Sequence, residues 1–376
     1  MQSKAASSTL PWIHNAGWDL RWLIGSSLIV PIILVLVWAN VSSDVLNLGV
    51  TALIGGPHLF ATYVATYMDP RFRRAHMGFL LLATLLIPAI VVFLALWNIQ
   101  ILLSVFIFAA SVHVLHQNLY LTDVYRTKQG TERGWYPRLV DYGLLMLCLY
   151  PIASYKLVNG DFWLGDVEIL IPPMVKTPAT YWTVWILFSF FLSAWLHKSF
   201  REVRQGVLNV PKTVLIGATT VIGFFVPIAA GGERLELAFQ SVNAWHSIQY
   251  LGIVWYIQAV RRRHGFIDSP LVKTIAGSDK KHAFRFYGFC FLVTLALLGV
   301  ALTLVSTNPF GLTGPNSREQ YYYMCVLSPL LIHYALDGYF FTVSTRRDAS
   351  VADLPYAATL EPSGSVMADA PARAAR

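Results

Sequence analysis

The feature that most constrains this chain is a series of apolar stretches, each about 20 residues long, between residues 22 and 343. A helix needs about 20 mostly apolar residues to cross the hydrocarbon core of a bilayer. Only 13% of the 376 residues are charged, against about 25% in a typical soluble domain. This pattern excludes a disordered chain, argues against a soluble enzyme, and favours an all-α integral membrane protein built as a polytopic bundle. The sequence predicts about ten transmembrane helices, over residues 22–40, 46–67, 77–97, 99–121, 139–157, 179–198, 212–231, 235–260, 286–306 and 321–343.

The placement of basic residues gives this bundle an orientation. If the N-terminus is cytoplasmic, 24 Lys and Arg residues fall in cytoplasmic segments and 4 fall outside, as the positive-inside rule requires. We therefore expect both termini to be cytoplasmic, in a bacterial inner membrane. Because the basic residues lie in short loops, they do not indicate nucleic-acid binding. Residues 1–345 are predicted to form a single transmembrane domain, and residues 346–376, rich in Ala, Pro and Ser, a disordered cytoplasmic tail.

Five of the ten histidines lie inside the predicted spans, where ionisable groups are costly and therefore rare. All five belong to even-numbered spans, and at 1.5 Å per residue they sit about 17–26 Å from the outer end of their helix. One layer near the bilayer centre thus holds five imidazoles on four helices. A hydrogen-bonding strut between helices is the alternative for each of them, but five struts at one depth are harder to explain. These residues are His58, His113, His116, His246 and His333.

A histidine layer of this kind matches the needs of a polynuclear metal site. Imidazole suits iron, copper and zinc, and the three scattered cysteines form no competing thiolate cluster. His113 and His116, three residues apart, are expected on one side of their helix. Asp337, one turn after His333, is expected to be a ligand or an orienting carboxylate, as in a histidine-rich iron pair. Metal-bound histidines usually donate their second N–H to a polar neighbour, and the sequence offers four nearby: Asn243, Gln117, Tyr250 and Thr62.

The ordered motifs resemble a known family. Gly56-Pro57-His58, then His113, His246 and the run from His333 to Asp337 (IHYALD) are similar to the histidine framework of bacterial membrane β-carotene dioxygenases, the bacteriorhodopsin-related-protein-like enzymes. The resemblance implies a helical bundle that holds non-haem iron through histidines and oxidises a lipophilic substrate with O₂. The chain departs from the family at His246, where the family has a histidine pair.

The leading hypothesis is an O₂-dependent oxidoreductase with a histidine-ligated metal centre, most simply two iron ions, although copper or manganese would also suit the ligands. Its partners would be a lipophilic substrate entering from the bilayer, O₂, and an electron donor on the cytoplasmic side. Two alternatives stay open at this point. One is a haem-binding electron-transfer protein with axial histidines, and the other is a transporter that passes protons or metal ions along the same histidines.

Overall fold

A computed structural model describes residues 11–130, 134–149, 162–226 and 235–344 of the chain. Helices make up nearly all regular structure in these ranges, and one two-stranded antiparallel hairpin, β1 (Trp163–Leu164) with β2 (Val167–Glu168), lies between two of them. The helices are α1 (Ala16–Trp38), α2 (Ser43–Ala65), α3 (Pro70–Trp97), α4 (Ile99–Gln129), α5 (Trp135–Leu149), α6 (Pro178–Arg204), α7 (Val210–Phe225), α8 (Leu235–Arg263), α9 (Pro270–Ile275), α10 (Lys280–Thr307) and α11 (Ser317–Ser344).

Six of the helices in the described ranges are long and apolar enough to cross a membrane, namely α1, α2, α3, α4, α6 and α10. This finding is compatible with the predicted all-α membrane protein. Helices α5, α7, α8 and α11 lie at the other four predicted spans. The count of ten crossings and the cytoplasmic position of the termini stay predictions. The ends of two predicted spans (150–157 and 227–231) and the predicted tail (346–376) lie outside the described residues.

Helix α2 carries the Gly-Pro-His motif and continues through it by means of a wide turn. The segment Thr51–Gly55 is a π-helix that joins the two α-helical halves. Pro57 has no N–H, so the carbonyl of Leu53, four residues earlier, loses its usual helical donor. The Tyr287 hydroxyl of α10 donates to that carbonyl at 2.7 Å instead. A tertiary contact therefore allows Pro57 to lie inside a continuous membrane helix directly before His58.

Helices α2, α4, α8 and α11 converge in the interior of the bundle, while α3 and α10 pack against α11. The four converging helices share one buried apolar cluster that includes Ala61, Leu121, Val254 and Leu336. These four residues lie between one and just over two turns along their helices from the histidines, towards the predicted cytoplasmic side. Tight packing on that side fixes the rotation of each helix and therefore the direction of its histidine.

An ion network joins four helices near the basic loops. The buried carboxylate of Asp141 in α5 accepts hydrogen bonds from Lys198 of α6 at 2.6 Å, Lys212 of α7 at 3.0 Å and Arg126 of α4 at 2.8 Å. A buried charge is tolerated only when it is paired and hydrogen-bonded, and three cationic donors meet that condition here. Hydropathy alone gave no signal for this network, because its members are far apart in the sequence.

Candidate metal centre

Four of the five predicted histidines meet in the interior, one from each converging helix. His58 comes from α2, His113 from α4, His246 from α8 and His333 from α11. None of the four is more than 5% exposed. One nitrogen of each ring can be chosen so that all four nitrogens lie within 4.8 Å of one another. The common depth predicted from the sequence therefore corresponds to a real cluster of side chains.

The rings stand at steep angles to one another. The centroid of the His58 ring lies 4.5 Å from that of His333 and 4.9 Å from that of His246, with interplanar angles of 88° and 80°. His113 lies 4.7 Å from His246 and 4.9 Å from His333, at 82° and 69°. At these spacings, one nitrogen of each ring lies within 4.8 Å of the other three.

Hydrogen bonds through Nδ1 hold the rings of His58 and His333 in place and leave the second ring nitrogen, Nε2, without a partner among the described residues. His58 Nδ1 lies 3.2 Å from the carbonyl oxygen of Gly55 and 3.2 Å from the Ser247 hydroxyl. His333 Nδ1 lies 2.7 Å from Thr62 Oγ1. In both rings Nε2 is buried and has no hydrogen-bond partner among the described residues. An Nδ1–H tautomer donating to these oxygens leaves the Nε2 lone pair available as a ligand, which is the usual arrangement around metal-bound histidine.

The other two rings are held by packing. His113 stacks on Tyr334 with centroids 4.3 Å apart and an interplanar angle of 22°. His113 Nε2 and both ring nitrogens of His246 are buried without a hydrogen-bond partner in the described part of the chain. A buried polar atom left unpaired costs about 1–3 kcal/mol. The cluster contains five such nitrogens, counting both from His246, and an ion bonded to one nitrogen of each ring would satisfy four of them.

Asp337 lies beside the cluster in a small polar network. Its Oδ1 accepts a hydrogen bond from Tyr250 Oη at 2.6 Å and from Thr62 Oγ1 at 3.2 Å. Its Oδ2 has no hydrogen-bond partner among the described residues and lies 3.6 Å from His333 Nδ1 and 3.9 Å from His113 Nε2. Asp337 is not a member of the four-nitrogen group. The carboxylate is placed to orient His333 and to supply negative charge next to the cluster.

The fifth predicted histidine lies apart, which corrects the expectation that all five converge. His116 is half-buried and lines a groove on the outside of α4. Three residues of an α-helix turn through about 300°, so His116 is rotated by about 60° from His113. That rotation is enough to carry its ring away from the cluster and into the groove on the outside of α4.

The four predicted supporting residues have different roles. Thr62 bonds to His333 and Asp337, and Tyr250 bonds to Asp337, although in sequence Thr62 lies one turn after His58 and Tyr250 one turn after His246. Gln117 donates to the backbone carbonyl of His246 at 3.3 Å and does not touch its ring. Asn243 lines a chamber near His58, and His246 has no bond to it, so the prediction that Asn243 orients this ring was wrong. Sequence reasoning missed Ser247 and Tyr334, although each directly follows a cluster histidine.

The donor set fits one transition-metal ion. Metal–nitrogen bonds are about 2.0–2.1 Å long, so two nitrogens on opposite sides of one ion are at most about 4.2 Å apart. The spread of up to 4.8 Å in the cluster therefore needs only a small inward adjustment. The four rings would ligate the ion, with Asp337 beside them. A second ion would need further ligands, and in the described ranges the group of four is the cluster that could hold a metal.

Two cavities reach the cluster from different directions. A groove of about 640 Å³ runs along α4 and α11 and reaches His113, and it opens beside the half-exposed Val105 and Val112. A separate chamber of about 360 Å³ extends from the start of α2 and the hairpin tip to His58. Tyr334 lines both. The groove is lined mainly by apolar side chains, whereas the chamber has a polar mouth.

Comparison of the chain with protein-family models, with curated proteins and with solved structures finds no match.

Proposed function

We propose that this protein is a membrane-embedded, metal-dependent oxidoreductase that uses O₂ to oxidise a lipophilic substrate. The proposal assigns one redox-active ion, preferably iron, to His58, His113, His246 and His333. The observation that carries it is the meeting of four buried rings, each of which has a ring nitrogen without a hydrogen-bond partner among the described residues. Histidines kept only as struts between helices would have those nitrogens bonded, because leaving them unpaired is costly.

The ligand set refines the expected cofactor. Four imidazoles and one nearby carboxylate suit a single iron, copper or manganese ion, so the proposal replaces the two-iron expectation with one ion. A haem accepts only two axial protein ligands, because the porphyrin fills the other positions. Four rings with centroids mostly 4.5–4.9 Å apart leave no slot for such a macrocycle.

The groove beside His113 supports a lipophilic substrate. Its wall on α4 is formed by side chains such as Ile101, Val105 and Phe108, and it opens on the outside of the bundle, where the proposal places the lipid. An apolar molecule dissolved in the bilayer can enter such a groove sideways without crossing water. In the proposal the substrate therefore comes to lie against the ring of His113 and the Tyr334 ring stacked on it.

The chain's own groups hold and order the site. Burial excludes water, which protects reactive intermediates. When bound, a redox-active ion would supply the activation of O₂. Tyr250 and Thr62 donate to Asp337 and hold His333 in one orientation. The proposal places the chain in the bacterial inner membrane, with an electron donor on the side of the basic loops. The ordered motifs that resemble membrane β-carotene dioxygenases support the same chemistry.

Metal analysis of the purified full chain tests the proposal. We expect about one equivalent of a transition metal per chain, lost in His333→Ala and retained in the control His197→Ala, which changes an exposed histidine on α6. Oxygen consumption that depends on an extract of the host membrane lipids, measured with and without an added chemical reductant, then tests the reaction. Less than about half an equivalent in the unmodified protein would refute the metal assignment, and full loading without oxygen consumption would refute the oxidase assignment.

Transport of a metal ion is a second candidate, favoured by the chamber that leads to His58. A transporter also needs a path on the other side of the cluster, where the packed residues Ala61, Val254 and Leu336 lie. Metal flux into proteoliposomes that is abolished by His58→Ala would favour transport over catalysis.

A further inference from the structure

One face of α2 carries a row of polar or small residues that leads from the end of the bundle to the cluster. Asp44, Asn47, Thr51, Gly55 and His58 follow at intervals of three or four residues, and all of them line the chamber. Such spacing puts them on one side of the helix. Fourteen residues at 1.5 Å each give the row a length of about 21 Å. The polar row therefore covers the distance from the first turn of α2 to the metal ligands.

Packing between helices alone would turn the apolar side chains of this segment inward and the polar side chains outward, and the structure has the opposite arrangement. The apolar side chains of Leu48 and Leu53 face outward and are more than half exposed, while the polar row faces the chamber. Across the chamber, Gln240 and Asn243 of α8 present amides. Polar groups within a membrane helix commonly line a water-filled cavity. The chamber is therefore suited to hold water between its mouth and His58.

The charged residues at the mouth of the chamber indicate which kind of solute it would admit. Asp44 at the start of α2 and Asp166 at the hairpin tip are exposed at the mouth, and no Lys or Arg is among the described residues that line the chamber. The basic loops lie at the other end of the bundle and would repel a cation there. At the inner end of the chamber, His58 Nε2 is buried and has no hydrogen-bond partner among the described residues. Acidic groups at the mouth and a free imidazole at the bottom suit a cation.

We propose that the chamber is the path by which a hydrated divalent cation enters and reaches the four histidines. The inference rests on the proposed metal centre and adds the direction of loading, from the end of the bundle opposite the basic loops. The carboxylates raise the local cation concentration, the polar row replaces part of the hydration shell, and His58 is the first ligand met. In this proposal the lipophilic substrate enters by the separate apolar groove that reaches His113.

The test is the rate of cobalt loading into metal-stripped full-length protein in lipid nanodiscs. Co²⁺ held by histidine nitrogens absorbs visible light, so stopped-flow absorbance follows loading without reference to enzyme activity. Asn47→Trp narrows the chamber, and Leu48→Trp is its control, with the same new side chain on the neighbouring lipid-facing position. The double variant Asp44→Asn and Asp166→Asn removes the charge at the mouth, and Glu168→Gln is its control on the same hairpin.

We expect Asn47→Trp to slow loading about tenfold or more without changing the final cobalt content. The double Asn variant should slow it about three- to tenfold at low salt and less at high salt, as electrostatic steering requires. Both controls should load at the unmodified rate. If Asn47→Trp loads normally, or if Leu48→Trp slows loading equally, the path is wrong while the metal centre stands. If the unmodified chain binds no cobalt, the metal centre itself is refuted, and the path with it.

Discussion

Replacing Thr62 by valine isolates the contribution of the hydrogen bonds around the cluster. Valine has nearly the same shape as threonine, so the packing of α2 is kept while one hydroxyl is lost. That hydroxyl lies 2.5 Å from Tyr250 Oη, 2.7 Å from His333 Nδ1 and 3.2 Å from Asp337 Oδ1. Tyr250 can still donate to Asp337 in the variant. The His333 Nδ1–H loses the hydroxyl that accepts its hydrogen bond.

The expected magnitude follows from that loss. A buried donor left unpaired costs about 1–3 kcal/mol, and the Nδ1–H tautomer of His333 is no longer favoured. Only that tautomer presents the Nε2 lone pair to the cluster. Loss of an outer partner of a ligating histidine typically weakens metal binding by about 10–100-fold, which spans the same range of free energy. We expect the Kd for Co²⁺ to rise by this factor in Thr62→Val.

A cobalt titration in the presence of a competing chelator measures this Kd. Thr66→Val is the matched control, because Thr66 is equally buried one turn later and its hydroxyl donates only to the carbonyl of Thr62 at 2.8 Å. Thr62→Ser keeps the hydroxyl and should restore most of the affinity. Unchanged affinity in Thr62→Val, or an equal loss in Thr66→Val, would refute the assignment of His333 as a ligand ordered by Thr62.

Three further predictions concern other parts of the site. His116→Ala should leave the metal content unchanged while His113→Ala removes it, as measured by elemental analysis, and an equal loss in both would contradict the separation of their rings. Asp337→Asn keeps the size of the side chain but removes its charge, so the Kd for Co²⁺ should rise about tenfold, and an unchanged Kd would exclude an electrostatic role. Gly56→Ala brings a Cβ within 2.1 Å of Thr294 Cγ2 and should destabilise the fold by about 1–3 kcal/mol. Adding Thr294→Ala should recover part of the lost thermal stability, and no recovery would mean that the clash lies elsewhere.

The lengths of the apolar stretches predict where the helices lie, but not the residues at which they end. The span predicted over 99–121 belongs to a helix that continues to Gln129, where Gly130 at φ 67° forms a left-handed cap. Hydropathy marks the thickness of the hydrocarbon core, whereas a helix continues until a capping residue interrupts its hydrogen bonds. The hairpin at Trp163–Leu164 and Val167–Glu168 was not predicted, because each strand has only two residues. Such short strands leave no readable alternation in the sequence.

The sequence predicts how deep each site residue lies along its helix, but not the direction in which its side chain points. Counting residues along each span gives the depth of a side chain to within a turn, and this sufficed to group His58, His113, His246 and His333 in one layer. It cannot fix the rotation of a helix about its axis, which depends on packing against neighbours such as Leu121 and Leu336 far away in the sequence. His116 shares the predicted layer but faces the groove, because about 60° of rotation separates it from His113. A histidine at the right depth is therefore a candidate ligand only, and the packing of its helix decides whether its nitrogen faces the other ligands.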